Sequence, residues 1–138
     1  MARIKGVIMG YRSQVQSVIY GEVAKVNAFL VKHKVVGNPV FDEFKEHLHI
    51  FEKDWKDVTS GTEVMKFIHL DSGDDSWKWY DDYDDVKAWH ALLADAEESG
   101  LSYEFIRIGE ETGDISEETG GDDVNYLLHV NQSIGNEF

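Results

Sequence analysis

The chain has 138 residues, with 13 Lys and Arg against 27 Asp and Glu, a formal net charge of -14 and no cysteine. That length sustains one compact domain with a real core, and a hydrophobic content of 42% excludes a wholly disordered chain. The composition also excludes disulfides, a thiol nucleophile and a zinc–thiolate site.

In chain order, Ile4 to Tyr11 reads as a first strand, apolar and β-branched behind a basic flank. Ser13 is a candidate N-cap. After it, Val15, Val18, Ile19, Val23, Val26, Phe29 and Leu30 recur at steps of three and four, which predicts a helix to about Lys34, closed by Gly37. Asn38-Pro39 signals a stop and a restart. Phe41, Phe44, Leu48, Phe51, Trp55 and Val58 then alternate steps of three and four, and predict a second helix ending near Gly61. Val64 to Leu70 reads as a strand. An aspartate near position 82 is expected to cap a third helix carrying Val86, Trp89, Leu92, Leu93 and Ala96, with Gly100 at its end. Leu101 to Ile108 reads as a buried strand, Glu110 to Asp123 as a polar connection, and Val124 to Val130 as a last strand before a short polar tail. Residues 1–138 therefore read as a single α+β domain of two layers. Its order is β-α-α-β-α-β-β, with helices on one face of a four-stranded mixed or antiparallel sheet whose last two strands pair antiparallel.

The charge is segregated. Residues 1–40 carry a net +5 and residues 71–138 a net -16, the acids being dense over 71–123. Such acidity disfavours nucleic acid and anionic membranes as direct partners, because both repel a negative chain within a Debye length. Salt adaptation does not explain it, since Lys outnumbers Arg by 10 to 3. No apolar run approaches the roughly 18 residues of a membrane span. The start lacks the long apolar stretch of a signal peptide, and a cytoplasmic setting is expected.

Chemistry-bearing motifs are sparse. No nucleophile elbow, P-loop or dinucleotide fingerprint occurs, so no catalytic residue, no enzyme activity and no cofactor are expected. His47 and His49 stand about 200° apart on the predicted helix and cannot easily share a metal. Asp71, Asp75 and Asp82 fall at positions 1, 5 and 12 of a calcium-loop spacing, but Ser76 replaces its turn glycine. They are the metal candidates; Asp74, Asp75, Asp81, Asp82, Asp84 and Asp85 together offer hard oxygen ligands for weak divalent binding, and no dedicated calcium site is expected.

The segment from Trp77 to Trp89 is the richest. Trp77, Trp79 and Tyr80 interleave with Asp81, Asp82, Asp84 and Asp85, and part of this cluster is expected to anchor the third helix. Exposed rings beside carboxylates also suit a protein contact, or a surface in which carboxylates stand in for phosphates. The expected function is thus a small acidic inhibitor or nucleic-acid mimic. It would dock Trp77, Trp79, Tyr80, Asp81, Asp82, Asp84 and Asp85 on a basic protein surface, such as that of a nucleic-acid-binding protein. Glu110, Glu111, Glu117 and Glu118 would form the electrostatic rim. The alternatives are a small-molecule or divalent-metal module built on the aromatic loop, and a subunit of a homo-oligomer.

The stretch Tyr103-Glu104-Phe105-Ile106-Arg107-Ile108-Gly109-Glu110-Glu111, followed by Asp114-Ile115-Ser116-Glu117-Glu118, resembles a C-terminal box of small phage and bacterial proteins. In these a strand ending in Arg-x-Gly-Glu precedes an acidic stretch and a last strand. The resemblance covers the last third of the chain. It implies a phage or mobile-element origin and no catalytic residue.

Overall fold

The computed structural model describes residues 11–57, 61–73, 76–131 and 133–136. Seven strands and two helices follow in order: β1 Ser13–Glu22, α1 Val23–Lys32, β2 Leu48–Asp57, β3 Gly61–Asp71, α2 Asp84–Glu98, β4 Ser102–Gly109, β5 Ile115–Gly120, β6 Leu128–Asn131 and β7 Ser133–Asn136. Five strands form an antiparallel sheet of order β2-β3-β1-β4-β5, and β6 and β7 form a separate hairpin. The α+β class and the antiparallel sheet hold. The expected element order and four-stranded sheet do not, and the predicted strand Ile4 to Tyr11 lies outside the described residues apart from Tyr11.

β1 occupies the sheet centre, and it forms where a helix is predicted from Ser13 onward. Val15, Ser17 and Ile19 are buried on one face; Gln16, Val18 and Tyr20 are buried on the other. A strand covered on both faces shows no two-residue alternation, so Val15, Val18 and Ile19 mimic helical steps. Only the second half of the predicted helix is helical. Val26 and Phe29 of α1 pack on the sheet.

The helix predicted over Phe41 to Val58 is instead two 3-10 turns, Pro39–Phe41 and Lys45–His47, and then strand β2. Asn38 and Pro39 do start a turn as read, with Asn38 Oδ1 accepting from Val40 N at 3.1 Å. Leu48 and Ile50 pack on the helix side of the sheet, Phe51 and Trp55 on the other. Phe51 and Trp55 are four apart, a spacing that places residues on one side of either a helix or a strand.

The helix predicted to carry Val86 and Trp89 is α2. Val86, Trp89, Leu92, Leu93 and Ala96 are its buried stripe, but Tyr83 stands at the N-cap with no side-chain cap bond, in place of the expected aspartate. The polar connection 110–123 contains β5, the exposed edge strand. The polar tail supplies β7, which pairs with β6. The two strands expected to pair, β4 and the final one, do not: β4 lies between β1 and β5.

Both helices pack on one face around Ile19, Ile68, Trp89 and Phe105. The opposite face carries Val18, Tyr20, Met65, Phe67 and Ile106, covered in part by Leu127, Leu128 and Ile134 of the hairpin region. That hairpin is tied down by two buried polar side chains of the sheet. Gln16 Nε2 donates to Ile134 O at 3.1 Å, and Glu104 Oε1 accepts from Leu128 N at 3.0 Å.

Candidate ligand-binding site

The residues singled out from the sequence do not make one acidic, aromatic surface. Trp79 is only 7% exposed and stacks on Phe44 at 5.5 Å, its indole N–H facing His90 Nε2 at 3.4 Å. Trp77 is half-buried, stacks on Phe44 at 5.1 Å, and exchanges two backbone hydrogen bonds with Ser13. Tyr80 is half-buried too, its hydroxyl accepting from Tyr11 N at 2.7 Å. Asp81, Asp82 and Asp84 are exposed, while Asp85 Oδ1 accepts from Val86 N at the start of α2.

Glu110 and Glu111 are exposed in the turn after β4. Glu117 opposes Ile106 on the hairpin side of the sheet, and Glu118 opposes Phe105 on the helix side, 3.5 Å from His90 Nδ1. Neighbours along a strand face opposite ways, so these rim acids are split between two surfaces. Of the metal candidates, Asp71 Oδ1 is taken up by Gly73 N, Asp82 is exposed, and Asp75 lies outside the described residues. Among the described residues no group of three or more His, Asp or Glu could hold a metal ion. Nor is any of their helices long and apolar enough to cross a membrane.

The Arg-x-Gly-Glu box serves the β4–β5 turn. Arg107 grips Asp114 with two bonds, Nη2 to Oδ1 at 2.7 Å and Nη1 to Oδ2 at 3.2 Å, and also reaches the hydroxyls of Ser13 and Ser116. Tyr11 donates to Asp114 Oδ2 at 2.6 Å. The hydrogen bond from Arg107, then that from Tyr11, holds the Asp114 carboxyl below the usual carboxylate range. At Gly109 a Cβ would run into the Asp114 carboxylate and the Tyr11 ring, and would displace both from this network.

A cavity of about 380 Å³ opens at one end of the hairpin side of the sheet. Tyr20, Glu22, Trp55, Glu63, Met65 and Ser102 line it from four strands, with Lys25 from α1 and Asp123 and Asn125 from the β5–β6 connection. Sheet register assembles the wall: Trp55 pairs directly with Glu63, and Glu22 with Met65. Gly121 brings the connection close. Its φ is +105°, and a Cβ would fall 2.6 Å from Ser102 Cα and 2.7 Å from Leu101 O. The lining carries three carboxylates against one ammonium.

Behind the wall, Tyr20 donates to the buried Glu104 at 2.6 Å and accepts from Asn125 N at 2.8 Å. Burial, then the bond to Glu104, pushes the Tyr20 hydroxyl pKa well above its ordinary value, so it stays protonated. Sequence reading missed this cavity. Its members are spread over more than 100 residues, and Trp55 was assigned to a helix.

No family model and no curated protein matches the chain. A solved structure of a phage SAM lyase in complex with S-methyl-5′-thioadenosine matches with 12% identity and a TM-score of 0.36, covering 86% of this chain and 97% of that one. At that score the likeness is too low to carry fold or activity across. The expectation of an acidic inhibitor or nucleic-acid mimic is corrected on the geometry: Trp79 is packed inside, Trp77 is half-buried against Phe44, and the rim acids face two ways, so the expected docking surface does not form.

Proposed function

We propose that the protein binds a small organic cation of the ammonium class in the cavity beside Trp55. The observation that carries this reading is the lining: Glu22, Glu63 and Asp123 outnumber Lys25 around an indole wall. A cation gains from the face of an indole, by about 0.5–2 kcal/mol depending on its hydration. Each solvent-facing carboxylate adds less than about 1 kcal/mol. The sum is at most about 5 kcal/mol, which sets a modest affinity with a Kd of about 0.2 mM at the tightest.

Binding without turnover is the role this lining favours. The nearest reactive pair, Tyr20 and Glu104, is engaged in mutual and backbone hydrogen bonds. The cysteine-free composition supports a cytoplasmic setting.

Isothermal titration calorimetry with choline, spermidine and the neutral carbon isostere of choline tests the proposal. Choline is expected to bind at least about 5-fold more tightly than its isostere, and Trp55→Ala to weaken it by a similar factor. Equal binding of choline and the isostere, or no heat from either cation at millimolar concentration, would overturn it.

A further inference from the structure

A second cavity, also of about 380 Å³, lies on the helix side of the sheet. It sits between the turn holding Phe44, the segment Ser76 to Trp79 and the start of α2. Its floor is aromatic. Trp77 stacks on Phe44 at 5.1 Å and 26° and on Trp79 at 6.1 Å and 20°. Tyr83 adds a further half-buried ring.

Its polar lining is balanced, with Arg12 and Lys78 against Glu43 and Asp85. That balance is unusual in a chain with twice as many acids as bases. Residues 71–138 hold only three basic side chains, Lys78, Lys87 and Arg107, and one of these lines this crevice. Arg12 is held in place, its Nη1 donating to Ser76 O at 2.8 Å.

Packing of α2 explains the burial of Trp79. It does not explain an open space of this size beside half-buried rings and charges of both signs, because a closed aromatic cluster fills its own volume. A flat ring gains by stacking on such a floor. Charges of both signs in one crevice complement a ligand that itself carries both, whereas a purely cationic or anionic molecule meets like charge as well as opposite.

We infer that this crevice binds a small zwitterion bearing a flat ring, the chemical class of an aromatic amino acid. The ring lies against the half-buried Trp77 and Tyr83, the carboxylate faces Arg12 and Lys78, and the ammonium faces Glu43 and Asp85. This site is separate from the cavity beside Trp55, and either can exist without the other.

Indole N–H resonances of the four tryptophans provide the test, in titrations with L-phenylalanine, phenethylamine and hydrocinnamate. L-Phenylalanine is expected to shift the Trp77 and Trp79 signals saturably and leave Trp55 in place. The two singly charged analogues are expected to bind at least about 10-fold more weakly. Lys78→Gln, an exchange at a half-buried side chain of the crevice, is expected to weaken L-phenylalanine at least 3-fold while leaving the Trp55 and Trp89 indole signals of the free protein in place.

Three results would overturn the inference. One is no saturable shift up to about 10 mM. Another is equal binding of phenethylamine, which would assign the crevice to cations. The third is movement of Trp55 alone, which would place the amino acid in the other cavity.

Discussion

His69 is a buried histidine on the hairpin side of β3, its Nε2 2.9 Å from Gln16 Oε1. Gln16 in turn holds the hairpin through Ile134. Burial lowers the His69 pKa to about 4, with a smaller contribution of the same sign from His49 across the strand and an opposing one from Asp71. The folded state therefore prefers neutral imidazole. The stability this histidine contributes is complete above the unfolded pKa of about 6.5 and is lost as pH falls from there towards about 4. The full loss is of order 3 kcal/mol. Urea midpoints are expected to drop between about pH 7.5 and pH 5, and His69→Gln to flatten that interval. An unchanged slope in the variant would assign the pH dependence to other groups.

Both helices end in the same hydrogen-bonded device. After α1, Val35 N bonds Leu30 O at 3.2 Å and Lys34 N bonds Val31 O at 3.3 Å; after α2, Leu101 N bonds Ala96 O at 2.9 Å and Gly100 N bonds Glu97 O at 3.2 Å. These 6→1 and 5→2 pairs require a left-handed residue at the turn. Gly100 meets that need with φ +79°, whereas Lys34 adopts φ +49° with a Cβ. The expected closure of the first helix by Gly37 thus falls three residues late. Lys34 is exposed, so Lys34→Gly relieves the strain without emptying a packed site. The exchange is expected to stabilise the fold by about 1 kcal/mol, and Gly100→Ala to destabilise it by a similar amount, both read from denaturant melts. Loss of stability in Lys34→Gly would show that the lysine side chain has a partner.

At the scale of the molecule, a charge of -14 on 138 residues makes self-repulsion a standing cost of the compact state. Local devices offset part of it: Asp114 is held by Arg107, and Asp84 and Asp85 sit in the first turn of α2, where the helix dipole favours them. The exposed edge strand β5 carries Glu117 and Glu118, and charge on an open edge discourages pairing with another chain. Raising salt from about 10 mM to about 0.15 M shortens the Debye length from roughly 30 to roughly 8 Å. The thermal midpoint is therefore expected to rise over that range. A flat profile would mean that the acids are already compensated locally.

What the sequence by itself determined was strongest where only one period could fit. Val86, Trp89, Leu92, Leu93 and Ala96 mix odd and even spacings on one buried stripe, which no strand covered on one face can do, and Gly100 marks the end. The strands at Val64 to Leu70 and Leu101 to Ile108 were legible for a similar reason, being short and β-branched or aromatic. The charge layout, the class and the lack of cysteine chemistry were also readable.

Only the tertiary structure decided β1 and β2. Burial of β1 on both faces erases alternation, and the four-residue steps Val15–Ile19 and Phe51–Trp55 satisfy a helix and a strand alike. Short polar strands such as β5 and β7 have no apolar pattern of their own, and their places come from the strands beside them. Trp77 and Trp79 looked like a surface feature because their neighbours are acidic, but Phe44, brought over by the turns after Pro39, covers them. The cavity beside Trp55 exists only once register sets Glu63 against Trp55 and Gly121 brings Asp123 and Asn125 to the mouth. Those neighbours are far apart in the chain, and local propensity carries no information about which distant residues will meet.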